Sequence, residues 1–413
     1  MKWNYKKPKK KLCLQGNYGV NLYLCISGFL LLLTTLCILT GMTGLERIIS
    51  TTDGFVDHFM HIAFASDPNR IYTFSRDACF PPLAYCFYYF LWKLNPVKVD
   101  DKLDWEAFKY AEHNLVILCM FYIMISMLLL YLVSRYLDFI SLEKQILVTV
   151  LILFSWPVFG ISFQDGNIVI LISIILGLAF YFKDSKSKLG REMALILIAI
   201  AAGFKIYPAF AGIVYIKEKR WSETARLVIY GVLFFFLPFL FFGGIAGLKN
   251  FMGILLTHES NIVYRYNTVR GALNSLFGAI GFDAGFGNMI AIISEQLFLL
   301  ISTIMILLSK KEWKTFTYIG AVLAFYIPIN YAYTAVYFLP GFLCLLRKLS
   351  TKERMGWENL FYIVCFSNIF TLPCYFKVIN RPVGYGIFMI AFLMMGVILI
   401  SDLVHIRICK KNR

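Results

Sequence analysis

Charge is scarce in this chain. Of its 413 residues only 15% are Asp, Glu, Lys or Arg, while 59% are hydrophobic, and the mean hydropathy is +0.70. A soluble domain needs far more polar surface than that, which excludes a soluble globular fold. The weak alternation over about ten residues per strand that marks a membrane β-barrel is also missing. There is no Gly-rich phosphate loop and no polar stretch that could form a globular cytoplasmic domain. The ten cysteines include no CxxC pair and lie mostly in apolar runs, so they read as small core residues and not as a disulfide frame or zinc site. No internal repeat is visible, which argues against the paired halves common in transporters.

What the chain has in quantity is long apolar runs, recurring from residue 19 to 405. Hydrocarbon offers the backbone no hydrogen-bond partners, and helices satisfy their own segment by segment, so the fold class is all-α and polytopic. Runs near 19–42, 115–135, 145–162, 167–183, 192–204, 206–217, 226–246, 287–308, 315–327, 331–347, 358–375 and 383–406 predict about 11–13 transmembrane or re-entrant helices. The run 19–42 outlasts a signal core and carries no A-x-A site, so it reads as an anchor.

The net charge of +16 is not spread as a nucleic-acid surface would be. It falls in short clusters between apolar runs: "KKPKKK", "KDSKSK" from 183, "KEKR" from 217, "KKEWK" from 310, "RKLSTKER" from 347 and "RICKKNR" at the end. That is the positive-inside pattern of cytoplasmic loops, and no nucleic-acid partner is expected. It makes 1–18 and 407–413 basic cytoplasmic tails around one membrane domain, 19–406, with external stretches at 43–78 and 247–285. The short aromatic segment 79–95 is expected to dip in from the external face without crossing. Polar or Pro-containing breaks at "FQDGN" (163–167), "GFKIYP" (203–208) and "IPINYAY" (327–333) fall far from the basic clusters. Broken backbone at membrane depth must be buried or line a cavity, so these breaks predict one cavity facing the extracytoplasmic side.

Titratable and sugar-compatible side chains gather on the same supposed face. "STTDGFVDHFMHIAF" holds Asp53, Asp57, His58 and His61. Two carboxylates four apart share a helix face, and a desolvated carboxylate is a stronger base; an ordinary helix cap is the competing reading. The two histidines with the two acids could ligate a metal, but the spacing matches no metal signature and none is expected. Lys205 stands alone in "AIAAGFKIYPAF", where an ammonium should face a cavity or meet an anion, or else snorkel to the interface. Arg265 and Arg270 alternate with Tyr264 and Tyr266 in "YRYNTVR", a pattern that suits phosphate and sugar rings or an aromatic belt. Gln164, Asp165 and Asn167 at one break, and Asn330, Tyr331 and Tyr333 at another, could bond sugar hydroxyls or cap helix ends. Glu295, inside an apolar run, reads as paired to a neighbouring helix.

The order of these landmarks is an aspartate after the first span, an aromatic-PPL segment ("DACFPPLAY"), a Gln/Asn break, then "GFKIYP" before "KEKRW". In this the chain resembles the membrane-embedded GT-C glycosyltransferases, most closely glycosyltransferase family 87, the polyprenyl-phosphate-mannose-type transferases. "KIYP" also looks like a stretch in the lumenal mannosyltransferase of GPI-anchor synthesis. The landmarks cover roughly 19–225. The resemblance implies a cell-membrane hexosyltransferase with no cofactor. It would take mannose or another hexose from a polyprenyl-phosphate donor to a glycan, glycolipid or protein acceptor outside the cytoplasm. It makes Asp53 the general base, leaves Asp57 where the family often has an aromatic residue, and puts Phe80 in a tyrosine position. The family's lysine matches Lys205, which would face donor phosphate; from the residues themselves Arg265 and Arg270 are candidates for the same phosphate, and His58, His61, Gln164, Asn167, Tyr264 and Tyr331 for substrate. A flippase of lipid-linked sugars and a surface-polysaccharide polymerase are the alternatives.

Overall fold

A computed structural model describes residues 17–41, 54–75, 77–95, 114–260, 268–327, 332–351, 356–371 and 396. Regular structure among them is helical throughout: α1 (Tyr18–Leu39), α2 (Val56–Ala65), α3 (Ile71–Phe74), α4 (Pro82–Leu94), α5 (Asn114–Tyr136), α6 (Leu142–Leu153), α7 (Val169–Phe182), α8 (Lys188–Phe204), α9 (Ile213–Lys217), α10 (Trp221–Phe236), α11 (Gly244–Ser260), α12 (Val269–Ala279), α13 (Ala284–Leu308), α14 (Glu312–Phe325), α15 (Leu339–Thr351) and α16 (Trp357–Ile369). The protein is an all-α, polytopic membrane protein. Four described helices are long and apolar enough to cross a bilayer: α1, α5, the continuous Trp221–Leu240 and α13.

Several predicted spans are divided. The run 145–162 becomes α6 and a π-helix, Val158–Phe163, separated at Pro157, which has no N–H to give the helix. Pro208 likewise opens a 3-10 turn, Tyr207–Gly212, before α9. Residues Ala332–Phe338 form another 3-10 segment ahead of α15. The segment 79–95 contributes α4, 13 residues long, or about 20 Å, short of a hydrocarbon core of about 30 Å. The predicted external stretch 247–285 is largely helical, in α11 and α12.

The core lies where α7, α14 and α15 meet. All of α14 from Trp313 to Phe325 is buried, and Phe180 of α7 stacks on Phe316 at 4.2 Å. No residue of α10 is buried, so this Phe-rich helix turns its surface outward to lipid.

The ends of the core helices differ in character. The C-terminal end of α7 and the first residues of α14 meet the Lys217–Arg220 corner in an ion-pair network. Lys183 Nζ contacts the carboxylates of Asp184, Glu218 (2.7 Å) and Glu312 (3.4 Å). Arg220 bonds Asp184, Glu218 and Glu223 at 3.0–3.2 Å, and Lys348 lies 3.9 Å from Glu312. Four of the basic clusters thus converge on one end of the bundle, as loops on one membrane side should. The far ends of α7, α8 and α14 carry the three breaks.

Candidate active site

The break at 163–167 is folded to receive α2. Gly166 adopts φ +71, a left-handed conformation that glycine takes without Cβ strain. A Cβ there would come 2.4 Å from Cβ of His58, so glycine is also required by the closeness of α2. Phe55, immediately before α2, holds φ +66, a costly conformation for an aromatic residue. Its N–H donates to the Gln164 carbonyl at 2.6 Å. Tyr122 of α5 donates to the Phe163 carbonyl and stacks on the Phe163 ring at 4.3 Å.

This docking joins two residues far apart in sequence. Asn167 Nδ2 donates to Asp57 Oδ2 at 2.6 Å. Asn167 Oδ1 accepts from the Val169 N–H at 3.1 Å, and its backbone carbonyl accepts from Ser162 Oγ. Asp57 sits in the first turn of α2, a helix with no side-chain N-cap bond. Asp53 lies outside the described residues.

On the next turns of α2, both histidines point into protein. The His61 ring stacks on Phe80 at 4.1 Å and on Tyr88 at 5.4 Å, and its Nδ1 lies 3.2 Å from the Tyr85 hydroxyl. His58 packs against Phe121 and Phe59. Neither of its ring nitrogens has a hydrogen-bond partner, and the same holds for both amide atoms of Gln164. Burial pushes His58 down to about 3. Burial does the same to His61, with Lys205 and His58 adding to it, also to about 3. Both rings are therefore neutral at physiological pH. Among the described residues no group of three or more His, Cys, Asp or Glu has a metal-binding arrangement.

Lys205 closes the other side. The chain leaves α8 at this residue, which is extended (φ −144, ψ 138), and the turn at Pro208 follows. The ammonium is buried and meets three rings: Phe80 at 4.8 Å, Tyr333 at 5.4 Å and Tyr207 at 5.9 Å. Phe80 is shared, with His61 stacked on it and Lys205 beside it. Tyr207 in turn lies 3.2 Å from the hydroxyl of Tyr337. Burial pushes the Cys79 thiol up to about 11, with Lys205 opposing and Asp57 and Asp77 reinforcing.

The structure therefore brings together Asp57, His58, His61, Gln164, Asn167 and Lys205. Arg270 is engaged elsewhere, its Nε and Nη2 bonding Asn288 Oδ1 at 3.2 and 3.1 Å. Glu295, buried on α13, is within electrostatic reach of Arg270, the neighbouring-helix partner expected. Arg265, Tyr264 and Tyr331 lie outside the described residues. Tyr85 and Tyr88, which line the His61 side, were hidden in the run "YCFYYF". Their spacing of three on one helix face is the signal that picks them out.

A family model described as glycosyltransferase family 87 matches residues 111–327, more than half of the chain. The match takes in Gln164, Asn167 and Lys205 and runs well past the landmarks near 225, while α2 and the aromatic-PPL segment precede it. No curated protein matches the chain, and no solved structure does.

Proposed function

The chain belongs to glycosyltransferase family 87, and from that premise we propose that this membrane glycosyltransferase moves a hexose from a polyprenyl-phosphate donor to an extracytoplasmic glycan, glycolipid or protein. The observation that carries the reading is Lys205. A buried ammonium walled by three aromatic rings has no carboxylate within ion-pair distance among the described residues, and a buried charge requires an anion. The phosphate of a lipid-linked sugar supplies one, and the neighbouring rings offer faces for the sugar.

The chemistry follows from that placement. The acceptor oxygen attacks the anomeric carbon. Its O–H proton passes to an aspartate of the first external loop, Asp53 or Asp57, as the new bond forms. The bond from the anomeric carbon to the phosphate oxygen breaks, and the lipid phosphate leaves carrying the electron pair. Lys205 stabilises that charge in a water-poor setting, where one cation counts for more than it would in water. His58, His61 and Gln164 bond donor or acceptor hydroxyls. Arg265, Arg270, Tyr264 and Tyr331 remain candidates for further donor contacts.

Incubating the detergent-purified protein with a short-chain polyprenyl-phosphate hexose tests this directly. Release of polyprenyl phosphate, with the sugar moved to an acceptor or to water, supports the reading. Binding and vesicle translocation of the intact lipid with no cleavage would overturn it in favour of a flippase.

A further inference from the structure

We infer that Asn167 is a positioning residue for the reaction, holding the Asp57 carboxylate in the orientation in which it receives the acceptor proton. The inference rests on the proposed glycosyl transfer and deepens it. The sequence groups Asn167 with sugar-binding candidates, but both ends of its amide are already used by the protein.

The orientation of that amide follows from its partners. Oδ1 faces the Val169 N–H at the start of α7, and only an oxygen can accept there. The NH₂ group is thereby turned to Asp57, which it meets at 2.6 Å. A bond to a charged acceptor at this length is of the stronger kind. Asn167 is itself nearly fully buried, and its backbone is pinned by Ser162. The residue before it is the left-handed Gly166, against which His58 packs. Helix α7 is buried along almost its whole length, so the donor is fixed at the start of a packed helix. Asp57 is carried by the short helix α2. A carboxylate on a short helix gains a defined rotamer only if something rigid holds it, and a general base must be held within a fraction of an ångström of its target.

A plain helix cap would place the same oxygen on Val169, so the test must separate the two. Asn167→Asp keeps an oxygen for the Val169 N–H, because Asp caps as well as Asn, but replaces the donor with a second negative charge beside Asp57. The positioning role predicts a folded protein with kcat lower by about ten- to a hundredfold, donor KM close to wild type, and an acid limb of the pH–rate profile moved to higher pH. Asp57→Asn should abolish that limb. Infrared titration of the carboxyl band supplies a readout independent of turnover: the Asp57 band, identified by its loss in Asp57→Asn, should protonate at higher pH in Asn167→Asp than in wild type. A folded Asn167→Asp protein with an unmoved pH profile overturns the inference. So does an Asp57 band that titrates as in wild type. If wild-type protein transfers no sugar, the proposed function fails, and the infrared titration still decides whether Asn167 governs Asp57.

Discussion

Two lysines are buried to nearly the same degree, Lys183 with 2% of its surface exposed and Lys205 with 8%. They occupy opposite ends of the same helices. Lys183 meets three carboxylates, and Asp184 and Glu218 outweigh the cost of burial and raise its affinity for the proton. Lys205 meets three aromatic faces and, among the described residues, no carboxylate. Ring faces return part of the desolvation cost of a cation, on the order of 1–2 kcal/mol, and not the whole of it. The ionic end is complete within the chain, as a structural clamp should be. The other end holds a buried cation, two neutral histidines and the unpartnered amide of Gln164 on the same side of the bundle as Asp57, an arrangement that the proposed anionic donor would complete. Equal burial therefore does not mean equal role: the identity of the partner separates a clamp from a site.

The comparison breaks most visibly at the acids. Asp57→Asn keeps size and much of the hydrogen bonding to Asn167 but cannot take a proton, and the expected loss of transfer is about 10²–10⁴-fold with an unchanged thermal midpoint. Asp53→Asn should be comparably damaging if both acids serve the proton transfer. Glu218→Gln at the ionic end should leave turnover alone. Single-turnover transfer assays on the three variants check this, and a silent Asp57→Asn would remove the site from this end of the bundle.

Next in size is the seat under α2. Gly166→Ala forces a side chain into a left-handed position and against His58, at a cost of roughly 2–3 kcal/mol. Gly231, in the lipid-facing α10 with nothing within 4 Å of an added Cβ, should gain about 0.5–1 kcal/mol on the same change. Thermal unfolding in detergent reads both. Equal effects would mean that α2 is not seated as described.

A smaller effect sharpens the account through pH. Folding lowers the pKa of His58 from 6.5 to about 3, so below pH 6.5 the unfolded chain binds protons that the folded site refuses. Stability is therefore full above pH 6.5 and is lost as the pH falls towards 3. Between pH 6.5 and 5 His58 should account for roughly 1–2 kcal/mol of that loss, which His58→Phe should remove. Midpoints that fall identically in wild type and variant would show the ring to be solvated.

The parts legible in the sequence were those encoded locally. Apolar runs and basic clusters announced a polytopic helical protein, and isolation in "GFKIYP" marked Lys205. The glycine of "FQDGN" marked a break. What stayed hidden depends on long-range packing. The Asp57–Asn167 bond joins residues 110 apart, and no spacing rule reports such a pair. Arg270 stood out through its local alternation with tyrosines, a pattern that could not report its bond to Asn288 on the next helix. Tyr85 and Tyr88 were submerged in a run whose other aromatics face lipid or core. The divided spans were masked because hydropathy averages across Pro157 and Pro208 without registering the lost N–H.

The most direct test sets the two lysines side by side in donor-saturation kinetics with a polyprenyl-phosphate hexose. Lys205→Ala should raise donor KM by about ten- to a hundredfold, the value of a charged hydrogen bond of roughly 1.5–3 kcal/mol, with a midpoint no lower than wild type. Lys183→Ala should lower the midpoint and leave donor KM unchanged. Wild-type donor kinetics in a folded Lys205→Ala protein would contradict the account.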